Sequence, residues 1–214
     1  MTTMDEATAR AELVRLSRSL YERGFSVGSA GNISVAVADG LLITPTNSCL
    51  GSLDPPCISK LDRNGRHISG DKPSKEIFLH QAFYETRPQA GAVVHLHSTY
   101  ATALSCLPDL DPHDCIPALT PYVVMRVGRV PLLPYVRPGD PAMGTMIREL
   151  GGSRAAVLLA NHGTVVTASD LTSAVYAAEE LEETAKLLVL LQARQPRILT
   201  TAQVAELHAV FGTS

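Results

Sequence analysis

The sequence predicts an α/β fold, a single domain over residues 1–214 with a central mixed, mainly antiparallel sheet flanked by helices. Three observations predict it. Turn signals at Asp39-Gly40 and Asn64-Gly65 sit between short β-rich runs and mark two hairpins. Helical patterns interleave with these hairpins instead of alternating with single strands, which argues against regular βαβ winding. The 214 residues are 45% hydrophobic and 18% charged, without a linker or internal repeat, so one large core is affordable without staples.

The elements follow in order. Asp5 to Arg23 reads as an amphipathic helix with Ala9, Leu13, Leu16 and Leu20 on one face and Gly24 as its stop. The turn-rich segment Gly28 to Asn32 runs into a strand over Ile33 to Val37, which returns through Asp39-Gly40 as Leu41 to Ile43. Ile58 to Leu61 and His67 to Ser69 form the second hairpin. Pro73-Ser74 opens a helix that ends before Pro88, because a residue preceding proline disfavours the α region. Ala92 to His97 is a strand, and Ser98 caps a short helix through Leu107. The proline-dense segment 108–141 predicts loops with short strands around Tyr122 to Met125 and Val130 to Leu133. Ala155 to Leu159 is a buried strand, Asn161-His162-Gly163 a turn, and Thr164 to Thr167 a further strand. Ser169 caps a long helix to Arg194, and Thr200-Thr201-Ala202-Gln203 is a capping box for a last helix that stops at Gly212.

Charge and composition exclude several classes. A net charge of −3 and a pI near 6.1 argue against nucleic-acid binding, which usually needs a basic face. No run approaches the ~18 apolar residues of a membrane span, and Asp5 and Glu6 rule out a signal peptide. Cys49, Cys57, Cys106 and Cys115 form no C-x-x-C pair and read as thiols in a reducing compartment, so the cytoplasm is the expected location. The basic residues Lys60, Arg63, Arg66, Lys72 and Lys75 cluster in one stretch, either as a solvated hairpin and helix start or as a site for an anionic substrate.

The histidines carry the first chemical signal. His95 and His97 are two apart in an apolar strand, so both imidazoles project on one face while Leu96 points to the other. Alone, that pattern also fits two hydrogen-bonded core histidines. His162, in a tight turn at the mouth of a second apolar strand, completes a three-histidine set of the kind that leaves one metal position open for substrate. His67, His113 and His208 read as surface residues. His80, one turn beyond Glu76, is either a helix-face residue or a support for the site.

Glu76 falls in the predicted first turn of a helix. It either complements the helix dipole or serves as a general acid/base beside a metal. The same helix start offers backbone N–H groups, the Ser74 hydroxyl and lysines, which together suit a phosphate. Gly31-Asn32 and Thr44-Pro45-Thr46-Asn47 add further donors. A nucleotide-binding reading of Gly28-x-x-Gly31 fails, since the spacing is wrong and a strand follows.

Taken together, Ser29-Ala30-Gly31-Asn32-Ile33-Ser34, Leu42-Ile43-Thr44-Pro45-Thr46, Pro73-Ser74-Lys75-Glu76, Ala92 to His97 and Asn161-His162-Gly163 resemble the class II aldolase/adducin family. The resemblance implies a divalent metal, usually Zn2+ with Mn2+ or Co2+ as alternatives, held by His95, His97 and His162. It implies Glu76 as the proton-transfer residue, also a metal ligand when substrate is absent, and Asn32, Thr46, Ser74 and Lys75 as substrate or phosphate contacts. It also implies a homotetramer with sites at subunit interfaces, where Tyr122 or Tyr135 would assist a neighbouring site.

The chain departs from sugar-phosphate aldolases of this family. Lys75 stands where fuculose-phosphate aldolases tend to have a second serine, and Asn47 stands where a glycine is usual. With Gly70 to Glu76 and His95-Leu96-His97-Ser98-Thr99-Tyr100, these features are similar to the branch that decarboxylates 3-oxo-tetronate 4-phosphate. A basic residue at 75 suits a phosphorylated sugar acid. The implied activity is metal-dependent decarboxylation to dihydroxyacetone phosphate and carbon dioxide through an enediolate. The alternatives are an L-fuculose-1-phosphate-type aldolase, a 4-epimerase, or a non-enzymatic interaction module of the adducin kind.

Overall fold

A computed structural model describes residues 4–211. Its eight strands form one sheet in the order β4-β3-β2-β1-β5-β8-β7-β6. Helix α1 (Glu6–Glu22) leads into β1 (Asn32–Val37), β2 (Gly40–Ile43), β3 (Ser59–Asp62) and β4 (His67–Ser69), and α2 (Ile77–Thr86) precedes β5 (Ala92–Leu96). Then come α3 (Thr99–Ser105), α4 (Pro121–Arg126), β6 (Leu132–Leu133) and α5 (Ala142–Glu149). The chain continues through β7 (Ala156–Leu159), β8 (Gly163–Ala168), α6 (Leu171–Leu191) and α7 (Thr201–Phe211). Every neighbouring pair of strands is antiparallel except β6 with β7, so the mixed, mainly antiparallel sheet is as predicted.

Strand alternation divides the core between the two faces of the sheet. Ala92, Val94 and Leu96 of β5 join a large cluster with α1, α3, α4 and α6, whereas Val93 joins a smaller one with α2 and α5. His95 is in phase with Val93 and therefore lies on the α2 face. Leu79 and Phe83 of α2 and Met143 of α5 are almost fully buried there. Each such side chain contributes about 2–3 kcal/mol through burial, which pins α2 over β1 and β5.

Local chemistry sets most boundaries. The Asp5 carboxylate accepts from the Thr8 N–H at 3.0 Å and starts α1. Gly24 closes it at φ +79, where the Phe25 N–H reaches the Leu20 carbonyl. Thr200 and Gln203 form the expected reciprocal cap of α7. The Gly212 stop lies outside the described residues.

Several expected elements differ. Tyr122 to Met125 is not a strand but part of α4, because Thr120 caps Val123 and Pro121 sits at the first helical position. Burial of Val123 and Val124 in the larger core outweighs their β preference. The strand expected over Val130 to Leu133 shrinks to β6, and α5 forms beyond the proline-dense segment, in a stretch with no expected element. Asp170, not Ser169, caps α6, through the Ser173 N–H at 2.8 Å, and the helix ends at Leu191 rather than Arg194. Helix α2 begins at Ile77, four residues later than Pro73 suggested. Among the described residues no helix is long and apolar enough to cross a membrane.

Candidate metal and acid/base site

Register brings the site together. His95 pairs across the sheet with Asn32 of β1 on one side and Val165 of β8 on the other. His97 follows β5 directly, and His162 occupies the turn between β7 and β8, after Asn161 at φ 55. The turn can close on β5 only because residue 163 is glycine, whose absent Cβ would lie 2.3 Å from the Leu96 carbonyl oxygen. Gly31 allows the same approach from the other side, at 2.8 Å from the His95 carbonyl oxygen.

Glu76 is the residue before α2 rather than part of its first turn, and its side chain makes no cap bond. It faces the histidines instead. Its Oε2 lies 3.4 Å from His95 Nε2 and its Oε1 lies 3.6 Å from His162 Nε2. His97 Nε2 is 3.0 Å from His95 Nε2. The four potential ligand atoms of Glu76, His95, His97 and His162 all lie within 4.8 Å of one another. The imidazoles meet edge to face, with centroids 4.6–5.0 Å apart.

This donor set fits a divalent metal. Ligands about 2.0–2.1 Å from a tetrahedral zinc lie roughly 3.3 Å from one another, close to the separations found. The His95 Nδ1–H donates to the Thr164 carbonyl at 2.7 Å, so its Nε2 presents a lone pair to the cluster. His162 is buried, yet neither of its ring nitrogens has a hydrogen-bond partner among the described residues, a deficit that ligation would remove. Burial first, and the neighbouring His95 second, lower the pKa of His97 to about 3 and of His162 to about 4. Both rings are therefore neutral near pH 7, as ligation requires. Burial pushes the Glu76 carboxyl up, while the Nδ2–H that Asn32 donates to it favours the ionised form.

The side chains around Glu76 form a continuous chain. Asn32 Nδ2 donates to Glu76 Oε2 at 2.9 Å, and Asn32 Oδ1 meets His80 Nε2 at 2.5 Å. His80 Nδ1 meets Ser34 Oγ at 2.7 Å, which in turn meets the Tyr84 hydroxyl at 2.9 Å. His80 is fully buried beneath α2, not displayed on a free helix face. Ser34 and Tyr84 were not singled out from sequence. Their signal was present, since His80 and Tyr84 are four residues apart on α2, Glu76 lies four residues before His80, and Asn32 and Ser34 alternate on β1.

The expected anion contacts are only partly gathered. A β-bridge pairs Pro45 with Pro73, and the Thr46 N–H donates to the Lys72 carbonyl at 2.9 Å, so the Thr44-Pro45-Thr46 and Pro73-Ser74 motifs meet. Asn47 holds φ 56, which accounts for asparagine where the resemblance expects glycine. Ser74 is buried with its Oγ accepting from the Glu76 N–H at 3.2 Å, while Lys75 is exposed. Both precede α2, so they belong to a turn and not to a helix N-terminus. The basic stretch also divides: Lys60 is paired with Glu6 and Asp39 at 2.6 Å each, and Arg63 donates to the Ala38 carbonyl. Arg66, Lys72 and Lys75 remain exposed. Of the other histidines, His67 and His113 are exposed as expected, whereas His208 is half-buried on α7.

Two supports fix the chain next to His97. Ser98 does not cap α3 but donates to the Phe25 carbonyl at 2.7 Å. The buried Glu182 of α6 takes over, accepting from the N–H groups of Tyr100 and Ala101 at 2.8 Å each.

An α/β sheet carrying three clustered imidazoles opposed by a carboxylate defines a protein with a potential metal site. Residues 11–189 match the sequence profile of the Class II Aldolase and Adducin N-terminal domain, and the chain belongs to that family. It is similar to a 3-oxo-tetronate 4-phosphate decarboxylase from Pectobacterium atrosepticum, with 54% identity over 94% of this chain and 93% of that one. Similarity to an L-fuculose phosphate aldolase from Escherichia coli K12 is lower, at 35% over 86% of this chain and 84% of that one. The crystal structure of YgbL from Klebsiella pneumoniae superposes with a TM-score of 0.92 at 51% identity, covering 95% of this chain and 99% of that one.

Proposed function

We propose that the chain is a metal-dependent carboxy-lyase converting 3-oxo-tetronate 4-phosphate to dihydroxyacetone phosphate and carbon dioxide. The observation that carries this reading is the Glu76 carboxylate opposed to His95 and His162 at 3.4 and 3.6 Å. The choice of decarboxylase over aldolase rests on the 54% against 35% identity to the two kinds of relative. His95, His97 and His162 would hold zinc, with Mn2+ or Co2+ as alternatives for a nitrogen-rich set. A divalent ion there supplies Lewis-acid polarisation of a carbonyl oxygen, worth several kcal/mol.

The chain's own residues account for the remaining steps. The bond between C1 and C2 breaks, carbon dioxide leaves, and its electron pair passes through C2 to the C3 oxygen. A proton must then reach C2, and Glu76 delivers it. Glu76 is a carboxylate in the site, so it takes up that proton from solvent when substrate arrives. A substrate carboxylate and phosphate placed beside it raise its proton affinity. Asn32 keeps the carboxylate directed at the imidazoles. Thr46, Ser74 and Lys75 bind the anionic ends, Lys75 as a point charge for carboxylate or phosphate.

Location in the cytoplasm and a homotetramer belong to the same reading. The exposed Tyr122 and Tyr135 and the apolar Leu190, Val210 and Phe211 support self-association, which light scattering checks.

The test is zinc-reconstituted protein with 3-oxo-tetronate 4-phosphate, following dihydroxyacetone phosphate through a coupled NADH-consuming reductase. Metal-dependent release above the spontaneous rate is expected. No release, together with condensation of dihydroxyacetone phosphate and an aldehyde, would replace the decarboxylase with an aldolase.

A further inference from the structure

The hydrogen bonds behind Glu76 have a direction that follows from donor and acceptor chemistry alone. An ionised carboxylate only accepts, so Asn32 must turn its Nδ2 toward Glu76 and its Oδ1 away. The Oδ1 also only accepts, so His80 must carry its proton on Nε2. His80 is fully buried, with no carboxylate bonded to it among the described residues, and is neutral, which leaves Nδ1 as an acceptor. The Ser34 hydroxyl then spends its proton on Nδ1 and accepts from the Tyr84 O–H. Burial raises the pKa of the Tyr84 hydroxyl, so it keeps that proton. Every donor in the series points toward Glu76.

We infer that His80 is a positioning residue: locked as its Nε2–H tautomer by Ser34 and Tyr84, it fixes the Asn32 amide and so aims the Glu76 carboxylate at the imidazole cluster. The inference deepens the proposed function and rests on the role given there to Glu76. Without the Nε2–H, the Asn32 amide can rotate, and its oxygen would then face the carboxylate. Glu76 would lose both its donor and its orientation, while His95, His97 and His162 would keep their places on β5 and the β7–β8 turn. Proton delivery should therefore suffer more than metal or substrate binding.

Two measurements test this. The first needs no turnover: 15N shifts of the His80 ring at neutral pH report which nitrogen carries the proton. A proton on Nε2 is expected, and a proton on Nδ1 overturns the inference. The second compares His80→Leu with His80→Gln, whose amide can still donate to Asn32. His80→Leu should lower kcat about 10–100-fold, as losses of supporting partners typically do, with KM within about twofold and bound metal unchanged on the same grounds. His80→Gln should recover most of that loss. A folded His80→Leu with wild-type kcat overturns the inference. Should His80→Leu fail to fold, Ser34→Ala replaces it. Freed from Ser34, His80 should populate both tautomers and kcat should fall, whereas an unchanged tautomer and kcat overturn the inference. Absence of turnover in the wild-type protein would reject the proposed function, while the ring shifts would still decide the position of the His80 proton.

Discussion

The Nδ1 of His95 lies 2.7 Å from the carbonyl oxygen of Thr164 on the neighbouring strand, and that bond decides which nitrogen faces the site. Because a carbonyl only accepts, the ring proton is on Nδ1 and the lone pair on Nε2. A sheet hydrogen-bond partner thus leaves the ring oriented as a ligand would need to be, the role an outer partner usually has at a metal centre. His95→Ala and His162→Ala should each bring bound metal from about one per chain, as a single site implies, to near zero, measured by plasma mass spectrometry. Full occupancy in either variant would remove that residue from the ligand set.

Glu76 contacts the cluster through both oxygens, so replacing it with glutamine keeps its size but removes its proton chemistry. Glu76→Gln should fold and bind a phosphate-bearing inhibitor normally. Its turnover should fall by about 10²–10⁴-fold, the usual range for a lost general acid. Near-normal turnover in steady-state assays would sink the acid role.

Lys75 is exposed one residue before Glu76, where its ammonium is available to an incoming anion. Lys75→Ser should raise KM for the carboxylated substrate by about 10-fold, equivalent to one surface-accessible charge-assisted bond of ~1.4 kcal/mol. The effect on kcat should be small. A KM unchanged in the variant leaves this lysine without the assigned role.

The histidine cluster was legible because its residues obey simple periodicities. Two histidines at strand spacing and a third beside a glycine in a turn are local features, and the sheet only had to bring β5 and β8 together. What escaped was decided by tertiary packing. Val123 and Val124 favour strands, yet core burial and a Thr120 cap make them helical. Pro73 suggested a helix start, but its bridge to Pro45 holds that residue in an extended path, and a turn at Lys75-Glu76 delays the helix to Ile77. His80 was ambiguous for a related reason. Its spacing from Glu76 was visible, whereas its partners Asn32 and Ser34 lie more than forty residues away on β1. No local pattern reveals that such a histidine is fully covered.

That burial has a measurable consequence for stability. Burial first and the nearby His95 second lower the His80 pKa from 6.5 to about 3, with Glu76 opposing them. The unfolded chain therefore binds a proton on this ring near pH 6.5 that the folded protein refuses until far lower pH. Stability consequently rises with pH across this window and is lost as pH falls below about 6.5. In metal-free protein, His80→Gln should flatten the dependence between pH 6 and pH 4.5 by up to one proton, about 1.4 kcal/mol per pH unit. His97 and His162 titrate in the same direction but are present in both proteins, so their share cancels in the comparison. Urea denaturation of the two proteins across this range measures the difference. Parallel curves would mean that His80 takes up its proton in the folded state, and the buried, neutral ring described above would be wrong.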